Sequence, residues 1–177
     1  MKNLKTILSL FVVVLIMTSC KKNASLQGYL VESQEKQRFI TVDLPVSFLE
    51  LKNEDVSEDI KQTIKSIRKI NLVGLPYKGN EEAYEVEKEK LTAILSNTNY
   101  KSLMRMNVKG MKVNLYYTGD SDAIDEVIAF GYSKEAGVGI ARLLGENMNP
   151  GKIIEMMQNV KMNADKLNLG QFNAVFK

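Results

Sequence analysis

Residues 100–118, YKSLMRMNVKGMKVNLYYT, change the rhythm of the chain and decide its fold class. Tyr100, Ser102, Met104, Met106 and Val108 alternate with Lys101, Leu103, Arg105, Asn107 and Lys109. After Gly110, Met111, Val113, Leu115 and Tyr117 alternate with Lys112, Asn114, Tyr116 and Thr118. Successive side chains of a strand point to opposite faces, so this period of two around a glycine predicts a tight antiparallel hairpin with one buried face.

Toward the C-terminus, Glu126–Ser133 (EVIAFGYS) is apolar on both faces, as a central strand should be. Lys134–Gly137 turns the chain into a further strand, Val138–Leu144. Asn149 as N-cap and Pro150 at the first helical position open a helix carrying Ile153, Ile154, Met156, Met157 and Val160. Residues 163–177 read as a polar tail that ends with Phe172, Val175 and Phe176.

Toward the N-terminus the period is helical. Glu81–Ser96 has an apolar edge of Ala83, Tyr84, Leu91, Ile94 and Leu95, which Glu87 interrupts without a sequence-level reason. Ile70–Leu75 is a short apolar strand stopped by Pro76. Val56, Ile60, Ile64 and Ile67 form one helical stripe, with acidic residues at its start and Lys65, Arg68 and Lys69 at its end, as the helix dipole prefers. Phe48, Leu49 and Leu51 read as a short helical turn, and Arg38–Leu44 as the first strand. Lys21–Gln37 is polar and reads as a tether, with Leu26, Tyr29, Leu30 and Val31 able to dock locally. The expectation is one α+β domain over residues 38–162: a mainly antiparallel sheet of about six strands, with three helices packed mostly on one face.

The first twenty residues carry a different message. Lys2 and Lys5 precede an apolar run, Ile7–Met17, followed by Thr18, Ser19 and Cys20. That is the layout of a secretory signal, and the run is shorter than the roughly 20 apolar residues a bilayer-spanning helix needs. Ile16-Met17-Thr18-Ser19-Cys20 resembles the lipobox of bacterial lipoproteins, with Met17 where Leu is usual. The resemblance implies a signal peptide over 1–19 and a diacylglyceryl group and acyl chain on Cys20, which starts the lipidated tether 20–37. At about 0.8 kcal/mol per buried CH₂, two or three chains make a permanent anchor. The membrane is then the first partner.

Composition narrows the chemistry. There is no histidine, and Cys20 is the single cysteine. General acid–base work loses its commonest residue, and disulfides, thiol catalysis and His/Cys metal sites have no ligands beyond Cys20. Of 24 basic residues against 21 acidic, Lys2 and Lys5 belong to the signal, so the remainder is almost neutral and has no footprint for nucleic acid.

Three stretches, DVSEDIKQTIKSIRKINLVGL (55–75), NTNYKSLMRMNVKGMKVNLYYTGD (97–120) and EVIAFGYSKEAGVGIARLLGENMNPGKI (126–153), resemble a family of Gram-negative lipoproteins known as domain of unknown function 4252. The resemblance covers Phe39 to about Met162 and implies a lipid-anchored envelope module with no established active site. Lys21 and Lys22 lack the aspartate that retains lipoproteins in the inner membrane, which implies the outer membrane, facing the periplasm.

Candidate sites are few. Asp120, Asp122, Asp125 and Glu126 could supply oxygens to a divalent cation, but Ile124 stands where an EF-hand needs an acidic residue. Gly137, Gly139 and Gly145 have the wrong spacing for a dinucleotide loop and read as turn and strand glycines. Met104, Met106, Met111, Met156, Met157 and Met162 read as core filler. If the helices cover one sheet face, Lys101, Leu103, Arg105, Lys112 and Tyr116 share the other and form a candidate partner surface. The sequence thus favours a non-enzymatic binding module with no cofactor and no metal, recognising an envelope protein. The alternative is a carboxylate- or metal-dependent envelope enzyme built on Asp120, Asp122 and Asp125.

Overall fold

A computed structural model describes residues 25–53 and 55–162. The signal segment, Cys20, Lys21, Lys22 and the tail from 163 lie outside the described residues. In chain order the elements are α1 (Leu26–Gln34), β1 (Ile40–Leu44), a 3-10 turn (Val46–Phe48), β2 (Leu49–Leu51), α2 (Glu58–Ser66), β3 (Ile67–Pro76) and α3 (Glu81–Leu95). Then follow β4 (Lys101–Val108), β5 (Met111–Gly119), β6 (Ile124–Ser133), β7 (Gly137–Met148), α4 (Pro150–Asn159) and β8 (Val160–Met162). The main sheet has six strands in the order β1-β3-β7-β6-β5-β4, every neighbouring pair antiparallel. β2 and β8 form a second, two-stranded sheet.

The sequence expectation of an α+β fold with a six-stranded antiparallel sheet is met, and the helix layer differs from it. Four helices are present among the described residues, and they divide between the two faces. Residues paired directly across antiparallel strands point to the same side, so the register assigns every row. On one face Val73, Leu75, Val138, Ile140, Ile128 and Phe130 pack against Leu26, Tyr29 and Leu30 of α1 and Tyr84, Leu91, Ile94 and Leu95 of α3. On the other, Leu44, Ile70 and Val127 pack against Ile60 of α2 and Ile153 and Met156 of α4. Strands β6 and β7 are apolar on both sides because both sides are covered.

Helix α1 corrects the tether reading. Ser25 caps it by accepting from the Gly28 N–H at 3.0 Å, and Leu26, Tyr29 and Leu30 are buried at one face of its first two turns. Each such burial is worth about 1.5–3 kcal/mol, enough to hold a short helix that would not persist alone. At the next position of that stripe stands Ser33, also buried, whose hydroxyl donates to the Tyr29 carbonyl at 2.8 Å. A polar residue there hides the stripe from a hydrophobicity reading.

The second face is covered unevenly. The row Leu44, Ile70, Leu143, Val127 and Tyr117 lies under α2 and α4, whereas Ile40, Gly139, Gly131 and Val113, farther along the strands, are half-buried. A Cβ added at Gly74 in that row would meet nothing within 4 Å. Gly137, at the start of β7, has φ +127, and a Cβ there would collide with the Leu75 carbonyl oxygen. The glycines of GVG are thus demanded by strand approach, as the sequence reading held, and they open no helix.

Candidate functional site

The β4–β5 hairpin closes through Lys109 (φ 49) and Gly110 (φ 81), both left-handed, as a two-residue turn with the twist of the strands requires. Asn107 supports the turn by accepting the Gly110 N–H on its Oδ1 at 3.0 Å. From the turn, the register pairs Asn107 with Lys112, Met106 with Val113, Arg105 with Asn114 and Met104 with Leu115. Arg105, Asn107, Lys112 and Asn114 therefore stand on one face, in a two-by-two grid, and Tyr132 pairs with Lys112 from β6.

A β-bulge between Ser102 and Met104 inserts Leu103 as an extra, unpaired residue and reverses the alternation below it. Ser102 falls opposite Tyr116, and Lys101 opposite Tyr117 on the other face. Lys101 Nζ lies 5.6 Å from the Tyr117 ring centroid and donates to the Gly119 carbonyl at 2.8 Å. Of the five residues expected to share a surface, Arg105, Lys112 and Tyr116 do so, Lys101 stands on the other face, and Leu103 is the unpaired residue of the bulge. Their face also carries α1 and α3, against whose core Tyr116 is half-buried. What stays open is the hairpin end beyond the helices.

There Arg105, Met106, Asn107, Lys112, Asn114 and Tyr132 line an open concavity of about 410 Å³. The Tyr132 ring is seated on buried Phe130, with centroids 5.1 Å apart. Sequence reasoning found Arg105 and Lys112. It missed Asn107, Asn114 and Tyr132, although their positions in the alternating pattern put them on the same side.

Charge separates this end from the rest of the same face. Between α1 and α3, Lys36 bridges Glu32 at 3.0 Å and Glu87 at 3.1 Å, and Lys90 reaches Glu32 at 2.8 Å. Hydrogen bonds from Lys90 and then Lys36 hold the Glu32 carboxyl down at about 2. Nearer the sheet, Arg142 pairs with Glu126, both largely buried, and donates to Gln27 Oε1 of α1 at 2.7 Å. Lys69 pairs with Asp43 at 2.7 Å, and Asn71 also donates to that carboxylate; these bonds outweigh burial and lower its pKa. Among the described residues no ion pair engages Arg105 or Lys112, and the concavity is lined by no carboxylate.

Glu87, the break in the α3 edge, is thereby explained. It is 7% exposed and joins α3 to Lys36 just past α1, while its Oε2 has no hydrogen-bond partner. Burial, and next the Glu87 charge, push the Tyr29 phenol above its ordinary range. The acidic stretch after β5 behaves differently from a metal site. Asp120, Asp122 and Asp125 are exposed, whereas Glu126 is buried against Arg142 and accepts from Thr118 at 3.3 Å. Among the described residues no group of three or more acidic side chains converges as a metal site would need.

The family model for the domain of unknown function DUF4252 matches residues 29–156. The chain belongs to the DUF4252 family. The matched span begins inside α1 and ends inside α4, so the DUF4252 domain takes in residues 29–37 of the segment read as a tether. No curated protein and no solved structure gives a significant match. Within the described part of this DUF4252 chain, no helix is long and apolar enough to cross a membrane.

Proposed function

We propose that this chain is a lipid-anchored cell-envelope protein whose DUF4252 domain is a non-enzymatic binding module, and that the hairpin-end concavity is its binding surface. The single observation that carries the reading is the concavity's pair of cations without an ion-pair partner among the described residues, Arg105 and Lys112, on a face whose cations against α1 and α3, Lys36, Lys90 and Arg142, are paired.

The anchor gives the domain a short reach. Four residues, Lys21–Ala24, separate Cys20 from the cap Ser25. At roughly 3.6 Å per residue, the covalent path from the lipidated sulfur's residue to α1 is at most about 18 Å. Helix α1 starts beside Arg142, through Gln27, and Arg142 stands in the sheet row of Ile128, Tyr116 and Ser102. The docked helix thus keeps the start of the domain within that reach of the bilayer. By the lipobox resemblance the membrane is the outer one, with the domain facing the periplasm.

Changing Cys20→Ser and fractionating cells tests the anchor. The expected result is loss of lipid mass from the purified chain and release of the domain into the soluble envelope fraction. Sedimentation of the variant with membranes would remove the anchor reading. Arg105→Ala and Tyr116→Ala, taken separately through co-purification from solubilised envelopes, test the surface. The first is expected to lose a partner that the second, half-buried under α3, retains.

A further inference from the structure

We propose that the concavity at the β4–β5 hairpin binds a phosphate-type oxyanion carrying two negative charges, with Arg105 and Lys112 as its cationic ligands. This rests on the binding-module reading of the same site and names its ligand chemistry.

Arg105 and Lys112 occupy diagonal positions on neighbouring strands, a relation that puts Cβ atoms about 7–8 Å apart. Two cations at that range repel, and no carboxylate of the lining offsets them. An anion between them converts the repulsion into two charge-assisted contacts. Arg105 supplies a planar fork suited to two oxygens and Lys112 a point charge. Asn107 adds directional donors: its Oδ1 is occupied by the Gly110 N–H at 3.0 Å, so the end it offers is the amide NH₂. Tyr132, fixed by Phe130, gives an apolar wall for whatever group carries the anion.

Two positive side chains match a dianion better than a single carboxylate, and a phosphate monoester carries between one and a half and two negative charges near pH 7. Protection of a sheet edge is the competing use of such cations. It accounts for Arg105 on the edge strand β4 but not for Lys112, because β5 is paired on both sides.

The experiment is calorimetric titration of the full chain, purified in detergent, with inorganic pyrophosphate at constant ionic strength. Saturable binding is expected, weakened at least tenfold in Arg105→Gln/Lys112→Gln and unchanged in Lys65→Gln, an exposed lysine of α2 on the far side of the sheet. Both substituted positions are exposed, so thermal unfolding should match the parent. A second arm compares vesicles containing phosphatidic acid, whose headgroup is a phosphate monoester, with vesicles of phosphatidylcholine alone. Variant-sensitive binding to the phosphatidic acid vesicles alone assigns the phosphate to a lipid headgroup, and binding confined to pyrophosphate assigns it to a soluble phosphate compound. No saturable binding in either arm, or equal affinity in the double variant, overturns the proposal. Loss of envelope contacts at the concavity would be needed in addition to overturn the binding-module reading itself.

Discussion

Two ends of one sheet face use charge in opposite ways. Against α1 and α3, Lys36, Lys90 and Arg142 each meet a carboxylate, two of which, Glu87 and Glu126, are buried, and exposed Lys69 meets Asp43 on the same face. At the hairpin, which starts only two residues along the strands from the row of Arg142, the cations Arg105 and Lys112 meet none among the described residues. The paired end holds a short helix on the sheet. The unpaired end leaves Arg105 and Lys112 exposed to solvent. Buried ion pairs are costly to break because a stranded charge stays desolvated, whereas exposed charges contribute little to stability. The comparison therefore separates stability from binding and can be broken from either side.

The largest effect is expected at Arg142→Met. It strands Glu126, and urea unfolding should show a loss of about 3–5 kcal/mol. A loss below about 1 kcal/mol would mean the pair is solvated. Next comes Leu30→Ala, which removes a side chain only 4% exposed from the contact of α1 with α3. If α1 is part of the core, chemical denaturation should report a loss of about 2–5 kcal/mol. A tether would give almost none.

Glu87→Leu probes the other buried carboxylate, whose Oε2 lacks a partner. Lys36 keeps Glu32 at 3.0 Å, and an apolar replacement removes the unsatisfied oxygen. Stability is expected to change by less than about 1 kcal/mol, in either direction.

The acid limb gives a smaller effect. Glu32 titrates at about 2 in the folded chain against an ordinary 4.5. A depressed carboxyl stabilises the fold above its unfolded value, and that contribution fades as pH falls from about 4.5 through 2. Glu32 is half exposed, so screening keeps the term under about 1 kcal/mol. The difference in stability between parent and Glu32→Gln should close over that window and persist unchanged above it. Smallest of all is Arg105→Gln/Lys112→Gln, expected within about 0.5 kcal/mol of the parent in stability while binding is lost.

Much of this architecture was legible in the residues. The alternation around Gly110 gave the hairpin, the stripe of Ile60 and Ile64 gave α2, and Asn149-Pro150 gave the start of α4. The distribution of helices was legible too, in principle, because a strand apolar on both sides, such as EVIAFGYS, needs cover on both sides. Helix α1 was obscured by Ser33, which fills a buried position with a hydroxyl that bonds its own backbone. The three-residue strands β2 and β8 exist only through each other, so no local pattern announces them.

At the site, Arg105 and Lys112 were readable and their grouping was not. The Leu103 bulge removes Lys101 from the face that strict alternation assigns it, and bulges leave no mark in residue type when the extra residue is an ordinary leucine. The absence of partners for the two cations is likewise a property of the folded neighbourhood. Composition counts charges but does not pair them.

The most direct test of the account is photocrosslinking in intact envelopes from a reactive residue at Asn107, with Glu89 on the exposed side of α3 as control. The account predicts an adduct from Asn107 that disappears when Arg105 and Lys112 are changed to glutamine, and none from Glu89. No adduct from Asn107, or one indifferent to the two cations, would contradict it.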